Sequence, residues 1–250
     1  MTAWLVDLGT VEYKEAWDLQ RALVERRAAD AIPDVLLLLE HPHVITLGRR
    51  GQRKDVFRSD VPVFEIERGG EATYHGPGQL VGYPILKLED RLDVRKLVTD
   101  IEEVLIRSSR AFGIAAERNE RQHGVWVHGR KLGSIGLAVH RNVTYHGFAH
   151  NVSTNLSYFE RIRPCGNEGR VMTSIEKELG RAVDMEAFKD QVVRDFGDVF
   201  RELLKAVPAS TLVSPAVRTT TRVKDHGAPG FTPRRCSLRG LCRSSGARPQ

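Results

Sequence analysis

The sequence predicts an α+β domain on a mixed, largely antiparallel sheet, and three observations carry that prediction. Short apolar runs alternate with longer stretches of helical periodicity. Hairpin signals recur too often for a doubly wound parallel sheet. A chain of 250 residues, 41% hydrophobic and 28% charged, has the size and composition of a soluble protein burying one good core.

The elements follow in order. Tyr13 to about Ala29 spaces Ala16, Leu19, Leu23 and Val24 along one helix side, and Pro33-Asp34 ends the pattern. Val35 to Leu39 is short and wholly apolar, as in a strand buried on both faces. After His41-Pro42-His43, Val44 to Gly48 is a second short strand. Val63 to Ile66 leads as a strand into a loop running from Arg68 to Gly78, and Leu80 to Leu86 leaves it as another. Asp93 is placed to cap a helix carrying Val94, Leu97, Val98, Ile101, Val104 and Leu105, with Gly113 as its stop. Val125-Trp126-Val127, a glycine turn and Leu132 to Val139 form a hairpin, with Thr144 to Val152 as the next strand. Asp184 opens a last helix that includes Met185, Phe188, Val192, Phe196, Val199, Phe200, Leu203 and Leu204.

Beyond Pro208 the composition turns to Ser, Thr, Arg, Gly and Pro. Ala216 to Gln250 holds seven Arg, one Lys and one Asp, a charge of +7 against +6 for the whole chain, so residues 1–215 carry −1. The domain expectation is therefore a folded unit over 1–215 and a basic, disordered tail over 216–250. Because the charge belongs to the tail, it argues against a nucleic-acid partner. No run approaches the roughly 20 apolar residues of a membrane span. The N-terminus lacks the pattern of a signal peptide, which places the protein in the cytoplasm, where lone thiols stay reduced. Cys236 and Cys242 have no zinc-knuckle spacing, and the histidines lack Cys, Asp or Glu partners at ligand spacing, so no metal and no cofactor are expected.

Chemistry concentrates around one thiol. Cys165 stands in Arg163-Pro164-Cys165-Gly166, where Pro and Gly argue for a tight presenting loop rather than a packed core. A positive helix end or a nearby ammonium would bring such a thiol from about 8.5 toward neutrality and make it a nucleophile. His75 and His146, each followed by glycine in what reads as a loop, are available partners, and so is Lys131 at a turn exit among small residues. Spacing alone leaves Lys131 as a solvated surface charge. The Arg68 to Gly78 loop fits neither phosphate-cradling nor dinucleotide spacing; its glycines suit a backbone that approaches substrate and holds an oxyanion.

Taken together, His41-Pro42-His43-Val44-Ile45-Thr46-Leu47-Gly48, the loop from Arg68 to Gln79, Lys131-Leu132-Gly133-Ser134-Ile135-Gly136, Gly147-Phe148-Ala149 and Pro164-Cys165-Gly166 resemble the octanoyltransferases of lipoate biosynthesis. The resemblance runs from about His41 to Ser174. It implies the α+β fold shared with biotin and lipoate protein ligases, with residues 1–215 as the catalytic domain. It makes Cys165 the acyl-thioester nucleophile and Lys131 its acid/base partner. It assigns substrate binding to Arg68, Gly69, Gly70, Glu71, Ala72, Thr73, Tyr74 and His75, to Ser134, Ile135 and Gly136, and to Gly147, Phe148 and Ala149. His150 and Asn167 stand where relatives commonly carry apolar residues, and are expected to reshape the pocket rim. The implied partners are octanoyl-acyl carrier protein and the lipoyl domains of 2-oxoacid dehydrogenases and glycine cleavage H protein, with no nucleic acid and no membrane. The rivals are an ATP-dependent lipoate or biotin ligase and a non-catalytic binder of the same partners.

Overall fold

The computed structural model describes residues 2–58, 60–88, 94–163 and 171–212. Cys165, Asp93, Asn167 and the tail expected over 216–250 lie outside them. Ten strands and four helices carry the described fold: β1 Thr2–Thr10, α1 Tyr13–Ala28, β2 Val35–Glu40, β3 Val44–Leu47, β4 Val63–Glu65, β5 Ala72–His75, β6 Gln79–Ile85, α2 Val94–Ala111, β7 Val125–Val127, β8 Arg130–His140, β9 Val143–Asn151, α3 Ile175–Leu179, α4 Met185–Phe200 and β10 Leu203–Ala206.

Seven strands form the main sheet in the order β10-β1-β2-β6-β9-β8-β7. β1 is parallel to both β10 and β2, and the other neighbours are antiparallel. The mixed, largely antiparallel sheet is the expected one. β3 pairs with β4 and β5 in a small second sheet.

Alternation along β2 explains its wholly apolar sequence. Leu36 and Leu38 enter the core beneath α2 and α4, while Val35, Leu37 and Leu39 enter the core beneath α1. Each such leucine, withdrawn from water, contributes about 2 kcal/mol of hydrophobic stabilisation. On α1, Tyr13, Ala16, Gln20, Leu23 and Val24 are buried at the spacing of one helix face. Gln20 is its polar exception, and its Oε1 accepts the His146 backbone N–H at 2.7 Å.

Four local expectations are corrected. Thr2–Thr10, not anticipated as a strand, is one, because β2 and β10 flank it and supply its ladder. Ala72–His75, expected within a loop, is a strand, held in antiparallel register from Val44↔His75 to Leu47↔Ala72. Leu203 and Leu204 do not continue the last helix. Arg201 takes a left-handed φ of 54° with its N–H on the Gly197 carbonyl, which ends α4, and both leucines enter β10. His146-Gly147 lies inside β9 rather than in a loop. No helix among the described residues is long and apolar enough to cross a membrane.

Candidate active site

A cleft with about 500 Å³ of space between its walls, open solvent included, lies where the two sheets meet. Its floor is the β8–β9 pair, with Ser134 opposite Ala149, Ile135 opposite Phe148 and Gly136 opposite Gly147. Its roof is the segment Arg68-Gly69-Gly70, which leans across β8 through a Gly69 N–H to Leu137 carbonyl bond of 2.9 Å. Glycine permits that approach. A Cβ on Gly136 would sit 2.9 Å from the Gly69 oxygen; within the main sheet, one on Gly147 would sit 2.1 Å from the Gly82 oxygen of β6.

Arg68 braces the roof. Its Nη2 donates to the Thr46 carbonyl (2.8 Å), Thr46 Oγ1 (2.9 Å) and the Glu71 carbonyl (2.8 Å), and Nη1 donates to the Gly69 carbonyl (3.0 Å). A buried guanidinium held on backbone carbonyls and a hydroxyl fixes the loop. The side walls come from β5, whose alternation sends Thr73 and His75 to the cleft and Ala72 and Tyr74 into the core beside Phe159. Ala72 and Tyr74 therefore do not line the cleft. Tyr74 Oη meets His43 Nδ1 at 2.7 Å instead, and Glu71 takes part through its backbone carbonyl.

Lys131 also lines the cleft and is 4% exposed, so it is not the surface charge its spacing suggested. Its stem passes the bare Cα of Gly124, where a Cβ would lie 2.9 Å from Lys131 Cε; its Nζ stands 5.4 Å from the centre of the Trp126 ring. The Thr173 N–H donates to the Lys131 carbonyl at 2.9 Å, and Met172 bridges Lys131 in parallel. The chain thus returns beside Lys131 only a few residues after Cys165, itself outside the described residues.

Three further cleft residues were missed as pocket lining: Tyr13 from α1, Tyr83 from β6 and His146 from β9. Tyr13 and Tyr83 stand at core positions of their elements, and only contact across elements turns them to the cleft. His41, inside the quoted motif, donates from Nδ1 to the Val11 carbonyl at 2.7 Å and accepts the Tyr83 hydroxyl on Nε2 at 2.7 Å. Burial pulls its pKa down to about 4. Burial likewise takes His75 to about 3, aided by the His41 and Arg68 charges, and His146 to about 4, aided by Arg68. The cleft is lined by neutral imidazoles under a buried guanidinium. His146 has a left-handed φ of 58°, which turns its N–H out of the sheet ladder toward Gln20.

His150 does not reach the rim. It is 0% exposed on the opposite face of the sheet, stacked on Phe188 with ring centroids 5.2 Å apart, and its Nε2 is 3.1 Å from Ser109 Oγ.

The family described as lipoyl protein ligase A/B catalytic domain matches residues 12–197. An octanoyltransferase of Syntrophobacter fumaroxidans is 49% identical over 189 residues, covering 72% of this chain and 83% of that one. An octanoyltransferase of Caldicellulosiruptor bescii is 50% identical over 208 residues, covering 79% and 91%. Among solved structures, a bipartite lipoate protein ligase from Thermoplasma acidophilum, described with its E2 lipoyl domain, superposes with a TM-score of 0.68 at 16% identity, covering 85% of this chain and 90% of that one. That last likeness concerns the fold.

Proposed function

The chain belongs to the octanoyltransferases of the lipoyl protein ligase A/B catalytic-domain family, enzymes of acyl transfer in lipoate biosynthesis, and from that premise we propose a ping-pong transfer through Cys165. The buried Lys131, which lines the cleft and is bridged by Met172 a few residues after Cys165, is the observation that carries the proposal.

The donor is octanoyl-acyl carrier protein, and the acceptor is a lysine of the lipoyl domains of 2-oxoacid dehydrogenases or glycine cleavage H protein. Lys131 takes the Cys165 proton, and the thiolate attacks the thioester carbonyl carbon. The tetrahedral oxyanion is held by backbone N–H groups of the glycine-rich segments. The carbon–sulfur bond to the carrier breaks, and the carrier sulfur leaves with the proton Lys131 returns. The acceptor amine then attacks octanoyl-Cys165; the new carbon–nitrogen bond forms, the Cys165 sulfur leaves, and the surplus amine proton passes through Lys131 to that sulfur. Thioester to amide is downhill, so the transfer needs no ATP. The alkyl chain lies in the slot between the Arg68-Gly69-Gly70 roof and the β8–β9 floor. The five-residue step from Lys131 to Gly136 along the floor spans about 17 Å at the rise of an extended strand, longer than a chain of eight carbons. A cytoplasmic location keeps the thiol reduced.

Intact-mass measurement after mixing with octanoyl-acyl carrier protein tests the proposal. One octanoyl adduct is expected on the unaltered chain and on Cys236→Ala and Cys242→Ala, and none on Cys165→Ala. Full transfer by Cys165→Ala would end the thioester mechanism. Turnover only with free octanoate and ATP would replace transfer by ligation.

A further inference from the structure

Binding an alkyl chain leaves one feature of the cleft without a purpose, the hydrogen-bond chain behind His75. His75 Nδ1 lies 2.7 Å from Gln79 Oε1. Gln79 Nε2 lies 3.2 Å from the Tyr74 carbonyl and 2.9 Å from Asn151 Oδ1, and Asn151 Nδ2 lies 2.9 Å from the Thr173 carbonyl. A carbonyl only accepts, so Asn151 must turn its amide nitrogen to Thr173 and its oxygen to Gln79. Gln79 in turn must face Asn151 with nitrogen and His75 with oxygen. The proton of His75 is therefore on Nδ1, and Nε2 holds the lone pair. His75, Gln79, Asn151 and Thr173 are all buried, where a fully satisfied chain of this kind is stiff.

The chain ends at Lys131. Gln79 pairs with Asn151 and Gly133 with His150, so Asn151 falls level with Leu132, and the Thr173 N–H sits on the Lys131 carbonyl. His75 and Lys131 line the same cleft. Burial holds the His75 ring neutral, with a pKa of about 3, so it is an acceptor of hydrogen bonds and a poor base. A lone pair there wants an N–H or O–H donor. Neither an alkyl chain nor a thioester group carries one; a primary amine does.

We infer that His75 accepts a hydrogen bond from the attacking amine of the acyl acceptor, and that Gln79 and Asn151 are positioning residues that fix the tautomer able to do so. The inference rests on the thioester intermediate proposed above and adds a role to its second half. One N–H of the amine on Nε2 aims the nitrogen lone pair at the octanoyl carbonyl carbon. Bonds form and break as in that half, and His75 itself neither gains nor loses a proton.

The two halves are read separately by intact mass: adduct formation with octanoyl-acyl carrier protein, then adduct loss on adding a lipoyl domain. His75→Asn keeps a donor for Gln79 and removes Nε2. Transfer should slow at least about tenfold more than adduct formation does, in kcat more than in KM, as for one hydrogen bond lost in the second step. His75→Gln, which sets an oxygen near the Nε2 position, should recover part of the loss. Ring ¹⁵N spectra should show His75 of the unaltered enzyme as the Nδ1–H tautomer, with the Nε2–H form emerging in Gln79→Leu together with slower transfer. An Nε2–H tautomer in the unaltered enzyme, or His75→Asn slowing both halves alike or neither, overturns the inference. An unaltered enzyme that never forms the adduct overturns the thioester intermediate and the inference with it; a normal adduct whose transfer ignores His75→Asn overturns the inference alone.

Discussion

Two residues state the chemistry and its cost most directly. Lys131 is buried in the cleft, and a charge beside a thiol favours the thiolate. Lys131→Met should slow alkylation of Cys165 near neutral pH and cut turnover by about 10²- to 10⁴-fold, the usual worth of a positioned acid/base. Lys131→Arg should restore alkylation better than turnover, because a guanidinium supplies charge but does not shuttle a proton. Unchanged alkylation in Lys131→Met would detach the lysine from the thiol. His150 carries the clearest cost. Ser109 Oγ donates to the Leu105 carbonyl, so it accepts the Nε2–H of His150 and leaves Nδ1 buried without a partner among the described residues. Burial depresses its pKa to about 3. The folded chain thus prefers the neutral ring, and the unfolded chain, near 6.5, takes up the proton first. Its neutral form favours folding fully above about pH 6.5, and that contribution is lost as pH falls toward 3. His150→Leu should raise stability at pH 7 by about 1 kcal/mol through removing the orphaned nitrogen. It should also move the acid unfolding midpoint to lower pH. Urea unfolding at pH 7 and pH 4.5 measures both, and an unchanged pH dependence would place the acid sensitivity elsewhere.

The cleft depends on how elements approach one another. β5 was expected as loop, yet as a strand it sorts its own residues: Thr73 and His75 toward the cleft, Ala72 and Tyr74 toward the core. A loop expectation could not make that division, because only strand pairing imposes a period of two. The roof over β8 is equally an affair of two elements. In Gly136→Ala the new methyl would press on the Gly69 carbonyl at 2.9 Å and on Arg68 Cδ at 3.1 Å, lifting the roof. KM for octanoyl-acyl carrier protein should rise about tenfold or more, the scale of about 1.4 kcal/mol, while the melting temperature falls by only a few degrees. Steady-state kinetics with a thermal melt decides it; a large fall in melting temperature with unchanged KM would make the glycine a folding requirement alone. α4 teaches the same lesson about ends. Its apolar spacing runs on into Leu203 and Leu204, but the left-handed turn at Arg201 diverts both to the edge of the main sheet beside β1.

For the molecule as a whole, every motif and all the core-forming periodicity lie within residues 1–215, whose net charge is −1 against the +7 of residues 216–250. Deleting Ala216 to Gln250 should leave folding and octanoyl transfer nearly intact and weaken salt-sensitive binding to polyanions. A truncated enzyme with an unchanged melting temperature that needs far more acyl carrier protein to saturate would show the tail to be an electrostatic docking arm. The sequence by itself determined the fold class, the two-faced burial of Val35 to Leu39 and the hairpin turn at His128-Gly129, because period and turn chemistry are local properties that residues carry with them; the segments expected at the cleft came from the family resemblance, not from period. Only the tertiary structure decided the rest. β1, β5 and β10 exist through partners distant in sequence. Tyr13, Tyr83 and His146 reach the cleft from three separate elements. Lys131 is a buried group and His150 a core residue, because burial is set by what packs against a side chain, which no stretch of its own neighbours records.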